Sequence, residues 1–150
     1  MSVISEEELR EIVEVVWMTV LELPIGHGEE GALTCGESII SQISISGAWQ
    51  GVVTVRASEQ FLSHAAGVMF SCSAEDSTEM DRTDTLTELT NMLGGTVKCL
   101  LPEICDLSLP TILSDGDADT QEHVWFHFSC DGRPLSVAVT AAADNEKQAA

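Results

Sequence analysis

Asp84-Thr85-Leu86-Thr87-Glu88-Leu89-Thr90-Asn91-Met92-Leu93-Gly94-Gly95 is the stretch on which the reading of this chain turns. Its leucines recur at helical spacing, yet it carries a glycine pair. Each interior glycine costs a helix about 1 kcal/mol relative to alanine. Asn91 is a second poor choice, because its carboxamide competes for backbone partners. Advancing about 100° per residue separates the stretch into two faces. Leu86, Leu89, Leu93, Val97 and Leu100 form an apolar stripe at core-facing spacing. Asp84, Glu88, Asn91 and Gly95 fall on the opposite side. That side offers carboxylates, a carboxamide and bare backbone, so another molecule can approach it closely. The costly residues read as selected for a surface rather than for helix stability.

The flanking sequence builds a frame around this helix. Ser5-Glu6-Glu7-Glu8 is a capping box with an acidic first turn. Leu9, Ile12, Val13, Val16, Trp17, Val20 and Leu23 follow at helical spacing, and Pro24 closes the segment. Gly26-His27-Gly28 reads as a connecting loop, too short and too negatively surrounded to cradle phosphate. Residues 32–46 alternate apolar and polar positions, which predicts a half-buried strand. Gly47 to Gly51 makes a hairpin loop into a strand over Val52–Arg56. Ser58 caps a helix running to Phe70, with Phe61, Leu62, Ala65 and Met69 as its stripe. Residues 71–83 read as a polar, acidic loop, and Pro102 ends the motif helix. Strands are expected over 106–113, 121–130 and 135–141, separated by turns at Asp115-Gly116 and Asp131-Gly132. Residues 142–150 read as a frayed tail. The expectation is one domain over 1–150 of α+β class: a mostly antiparallel sheet with helices packed on one face.

Composition narrows the function classes. Twenty-five acidic residues against 6 basic ones give a net charge of −19. Nucleic acids and anionic membranes require a basic footprint that this chain lacks. Free anionic substrates would find few cations to hold them. The charge serves solubility, or attraction to a partner patch rich in Lys or Arg. No apolar run approaches the roughly 20 residues that span a bilayer. The start, Met-Ser-Val-Ile-Ser-Glu-Glu-Glu, lacks the basic and apolar regions of a secretory signal, so the expected compartment is the cytoplasm. Cysteines 35, 72, 99, 105 and 130 form an odd, scattered set without C-x-x-C, read as reduced thiols.

Each candidate residue has a plain alternative. Thr85-x-x-Glu88 is itself a capping box, so Glu88 can be a helix cap. Asp84 can be a cap or a first-turn charge. Gly94 and Gly95 can serve close packing of the helix on its own domain. Asn91 sits one turn from Glu88 and one turn before Gly95, which makes the three neighbours on the surface. His123 and His127 share a strand face but stand about 13 Å apart, too far to chelate one ion. No metal site, phosphate loop or nucleophile triad is legible.

Glu88-Leu-Thr-Asn91, followed by Met92-Leu93 and a glycine at 94 or 95, with Asp84 in the leading position, resembles the signature of the CheX/CheC family of chemotaxis phosphatases. The resemblance extends more weakly from about Gly51 to Leu113. It takes in the strand at Val52–Val55, the helix ending Gly67-Val68-Met69-Phe70, and Leu107-Ser-Leu-Pro110-Thr-Ile-Leu. The spacing from Asn91 to Pro110 is closer to the single-site CheX type than to CheC. The helix near Phe61–Phe70 has neither the Glu nor the Asn.

What the resemblance implies is hydrolysis of the aspartyl-phosphate of a CheY-like response-regulator receiver. Asn91 would enter the partner's site and orient the attacking water, and Glu88 would pair with the partner's lysine. Asp84, Gly94 and Gly95 would belong to the docking surface. Mg2+ is expected in the partner's receiver site, with no cofactor bound by this chain. The family also implies a homodimer joined through its sheets, with strands 121–130 and 135–141 as contributors. The alternative is a non-catalytic module of the same fold that binds a receiver or a flagellar-switch component.

Overall fold

Ser5 opens the first helix as its sequence requires. Its Oγ accepts from the Glu8 N–H at 3.1 Å, while the Glu8 carboxylate accepts from the Ser5 N–H at 3.2 Å. In the computed structural model, which describes residues 4–29, 31, 33, 38–101, 103–113 and 123–142, this helix is α1, Glu6–Leu21. Leu9, Ile12, Val13, Val16, Trp17 and Leu21 are its buried stripe. The Trp17 ring stacks on Phe61 at a centroid distance of 5.8 Å. Phe61 lies in α2, Glu59–Phe70, which Ser58 caps by accepting from the Phe61 N–H at 3.1 Å. The third and longest helix, α3, runs Glu79–Leu100.

The strands are β1 (Gly26–His27), β2 (Ser38–Gly47), β3 (Gly51–Ser58), β4 (Cys105–Leu107), β5 (Thr111–Leu113), β6 (Phe126–Cys130) and β7 (Arg133–Ala141). They form one antiparallel sheet in the order β1-β6-β7-β3-β2-β4, with β5 also on β2. The register aligns Ile43 with Val53 and Val53 with Val139, and aligns Val55 with Val137. Because strand side chains alternate, Ile43, Ile45, Val53, Val55, Val137 and Phe128 share one face. That face and the apolar stripes of the three helices form a single buried core. The opposite face is polar and laterally bonded. Gln42 donates to Thr54 at 3.0 Å, and the His127 Nδ1 meets the Ser136 hydroxyl at 2.7 Å. His123 meets Thr140 at 2.6 Å. The architecture is the expected α+β one, an antiparallel sheet with helices on one face.

Several boundaries differ from expectation, each for a local reason. Residues 71–83 are not a continuous loop: a 3-10 helix spans Ala74–Asp76 and α3 begins at Glu79. Gly26 and His27 form a short strand, pairing with Ser129 and Phe128. The strand expected over 106–113 is split. Ser108 inserts its hydroxyl under the Ser44 N–H at 2.9 Å, and Pro110 has no N–H to continue the ladder. β7 lies between β6 and β3, but β6 pairs only with Arg133–Val137, so 135–137 are interior while Ala138–Ala141 pair, among the described residues, with β3 alone. Among the described residues the unpaired edges belong to β4–β5 on one side and to β1, the start of β6 and the end of β7 on the other. Asp131 and Gly132 turn β6 into β7 with φ of 53° and 79°, as the Asp-Gly pair predicts. Cys72, Cys99, Cys105 and Cys130 are free thiols. Burial, and then the Asp131 carboxylate beside it, pushes the Cys130 thiol above its ordinary value, with Arg133 opposing. The turn at Asp115-Gly116, Pro102, Cys35 and residues 143–150 lie outside the described residues.

Candidate functional site

The motif helix is capped seven residues earlier than the Thr85-x-x-Glu88 box announces. Thr78 Oγ1 accepts from the Asp81 N–H at 3.0 Å, and the Asp81 carboxylate accepts from the Thr78 N–H at 3.0 Å. The capping box is therefore Thr78/Asp81, not Thr85/Glu88. Asp84 and Glu88 lie in the helix interior, where neither can cap the N-terminus. The Thr85 hydroxyl donates instead to the Asp81 carbonyl at 2.8 Å. Thr87, Thr90 and Thr96 bond back to Thr83, Leu86 and Met92 in the same way. Such back-bonding satisfies the hydroxyls, which lets Thr85 and Thr90 sit buried on the core side.

Leu86, Leu89, Leu93 and Val97 are fully buried, as their spacing requires. Leu100 departs from the stripe at 48% exposure. The helix ends there, the chain turns extended at Leu101, and Leu101 takes the buried position instead.

The two glycines have opposite environments. A Cβ on Gly94 would stand 2.7 Å from Ile43 Cγ2 and 3.3 Å from its Cδ1. Gly94 is buried and lets α3 press against β2, so its side of the helix belongs to packing. A Cβ on Gly95 would meet nothing within 4 Å. Gly95 therefore leaves a bare, open patch of backbone on the solvent side.

Asp84, Glu88 and Asn91 are all exposed on that side. None takes part in a hydrogen bond or ion pair with the described residues. Glu88 and Asn91 are three apart and Asn91 and Gly95 four apart. On a helix such pairs are neighbours, with Cβ atoms about 5–6 Å apart. The structure thus brings Asp84, Glu88, Asn91 and Gly95 to one face and turns Gly94 away from it.

Taken alone, this face cannot complete a reaction. A carboxamide is no base near neutral pH, but it can donate and accept hydrogen bonds at once. Among the described residues no group of His, Cys, Asp and Glu is placed to hold a metal ion. An open depression of about 460 Å³ lies elsewhere, lined by Gln60, Ser63, His64, Ala74, Glu75 and Arg133. His64 shares it with Gln60 and Ser63 of its own helix and with Ala74, Glu75 and Arg133 from later elements. No helix among the described residues is long and apolar enough to cross a membrane.

Comparison with known proteins bears on the family and the fold. The family model for chemotaxis phosphatase CheX matches residues 39–129. No curated protein matches the sequence. Among solved structures, CheX from Vibrio vulnificus superposes with a TM-score of 0.74 at 16% identity, covering 91% of this chain and 95% of that one. The CheX–CheY–BeF3–Mg complex from Borrelia burgdorferi gives 0.69 at 14% identity, with 90% and 96% covered. FliY from Thermotoga maritima gives 0.61 at 15% identity, with 98% and 96% covered. At these identities the likeness establishes the fold.

Proposed function

The chain belongs to the CheX family of chemotaxis phosphatases, and from that premise we propose that it hydrolyses the aspartyl-phosphate of a CheY-like response-regulator receiver. The observation that carries this reading is the unpartnered pair Glu88 and Asn91, exposed on α3 beside the open Gly95. An acyl phosphate already possesses a good leaving group. The departing aspartate has an ordinary pKa of about 4, so it leaves without being protonated. The transition state is loose, and catalysis consists of positioning and charge stabilisation. The missing part is an ordered water in line with phosphorus. Asn91 supplies it: Oδ1 accepts from the water, and Nδ2 is free to donate to a phosphoryl oxygen. Water attacks phosphorus, the P–O bond to the aspartate breaks, and inorganic phosphate and a free carboxylate result.

Glu88 pairs with a lysine of the receiver and fixes how deeply α3 enters. The Mg2+ of the reaction resides in the receiver's own site and neutralises the phosphoryl oxygens there. Asp84 lies in the docking face, and the methyl-free Gly95 permits close approach. The compartment is the cytoplasm. The chain pairs as a homodimer through its sheet, where the β4–β5 edge presents exposed Leu109 and Ile112; light scattering after size exclusion tests this.

The test of function is the time course of phosphate loss from each CheY-like receiver of the source organism, with and without the chain. Acceleration for at least one receiver is expected. Binding to a phosphorylated receiver without acceleration would make the chain a docking module and overturn the catalytic reading.

A further inference from the structure

We infer that the N-terminal half of α3 is a recognition arm for the receiver, with Met80 as its apolar anchor and Asp84 as its charged contact. The inference rests on the docking reading above and adds what holds the partner in place.

Met80 is 72% exposed on the first turn of a well-formed helix. Its angular position on the wheel lies within about 20° of Asn91, as does that of Asp84 on the other side. Met80, Asp84 and Asn91 therefore form a line along the helix axis. At 1.5 Å per residue, Asp84 lies about 10 Å and Met80 about 16 Å from Asn91. A domain of on the order of 100 residues has a radius of gyration of about 13 Å, so it reaches about 17 Å either way from its centre. A receiver whose contact face runs along α3 from Asn91 therefore extends as far as Met80.

The line also has a direction. Asp84 is a carboxylate without a partner among the described residues on one side of Asn91, and Lys98, on the same line, is a cation without an ion pair to them on the other. A partner with a basic residue opposite Asp84 docks in one orientation, and the reverse places like charges together. Met80 supplies what charge cannot: an unbranched, polarizable side chain able to fill an irregular apolar hollow. Its exposure has no role in this domain's own core, because the stripe of α3 that packs inward begins at Thr85 and Leu86.

The experiment is steady-state dephosphorylation of the receiver on which wild-type protein is active. Met80→Ala is expected to raise KM about tenfold with kcat unchanged. Met80→Leu is expected to restore KM, since it refills the hollow. Asp84→Asn is expected to raise KM about threefold and to flatten its dependence on salt. Thermal unfolding should be unchanged in all three, both residues being exposed. An unchanged KM in Met80→Ala, or a loss confined to kcat, overturns the recognition arm while leaving the phosphatase reading intact. A wild-type chain inactive on every receiver overturns both.

Discussion

Gly94→Ala and Gly95→Ala form a matched pair whose outcomes must diverge. Both replace an interior helical glycine, so both gain about 1 kcal/mol of helix propensity. The added methyl meets opposite surroundings. At Gly95 it finds nothing within 4 Å, so the gain is kept and Tm should rise by about 3 °C for a chain of this size. At Gly94 it lands 2.7 Å from Ile43 Cγ2. Ile43 is fully buried and β-branched, and cannot swing aside. Overpacking a core of this kind costs about 1–3 kcal/mol, which exceeds the propensity gain. Gly94→Ala should thus lose about 1 kcal/mol net, leaving the two variants about 2 kcal/mol and about 6 °C apart. Urea or thermal unfolding followed by circular dichroism measures this directly. Activity should run against stability: Gly95→Ala, the more stable protein, should lose about tenfold or more in kcat/KM on a phosphorylated receiver. Its methyl holds the partner away from Asn91, and misplacement by about 1 Å is costly. If both variants gain stability alike, the close seating of α3 on β2 is wrong. If Gly95→Ala keeps full activity, the bare patch has no part in docking.

Two further outcomes test the helix and the sheet. Thr78→Ala should cost about 1 kcal/mol of stability through loss of the cap, while Glu88→Gln should change it by less than about 0.5 kcal/mol, as measured by urea midpoints. A reversal would restore Glu88 to a capping role. The Cys130 thiol is raised in the folded state, so the fold holds that proton more tightly than the unfolded chain does. The resulting stability is full below the unfolded value of about 8.5 and is lost as pH rises through the folded one. Cys130→Ala should therefore flatten the fall in urea midpoint between about pH 7 and pH 10.

The elements visible in the sequence were those with a strong local signal. Ser5 and Ser58 announce their helices by the side chains that cap them, and Asp131-Gly132 announces a turn that only such residues enter cheaply. The two faces of α3 were legible because its leucines keep helical spacing. Its true start was not: Glu79 to Thr83 carries a single apolar residue, the exposed Met80, and so shows no core-facing stripe, and the cap at Thr78 uses Asp81 where the usual box has Glu or Gln. Leu100 fits the stripe in sequence but meets no core, because the helix ends there. β1 is two residues long and owes its existence to β6, a long-range pairing with no local signature. The split edge strand depends on the Ser108 contact with Ser44, sixty-four residues away. At the site, the face holding Asp84, Glu88, Asn91 and Gly95 follows from the wheel alone. The opposite fates of Gly94 and Gly95 required the position of Ile43 across the helix–sheet interface.

Asn91→Ala is the variant that bears on the central claim. The carboxamide is exposed, unpartnered and outside the core, so its removal should leave folding and receiver binding essentially intact. The measurement is single-turnover loss of phosphate from a phosphorylated CheY-like receiver at saturating protein. Loss of water positioning should slow the rate by about 10²-fold or more, equivalent to about 2.7 kcal/mol of transition-state stabilisation. An Asn91→Ala protein that binds the receiver and dephosphorylates it at the wild-type rate would contradict the account.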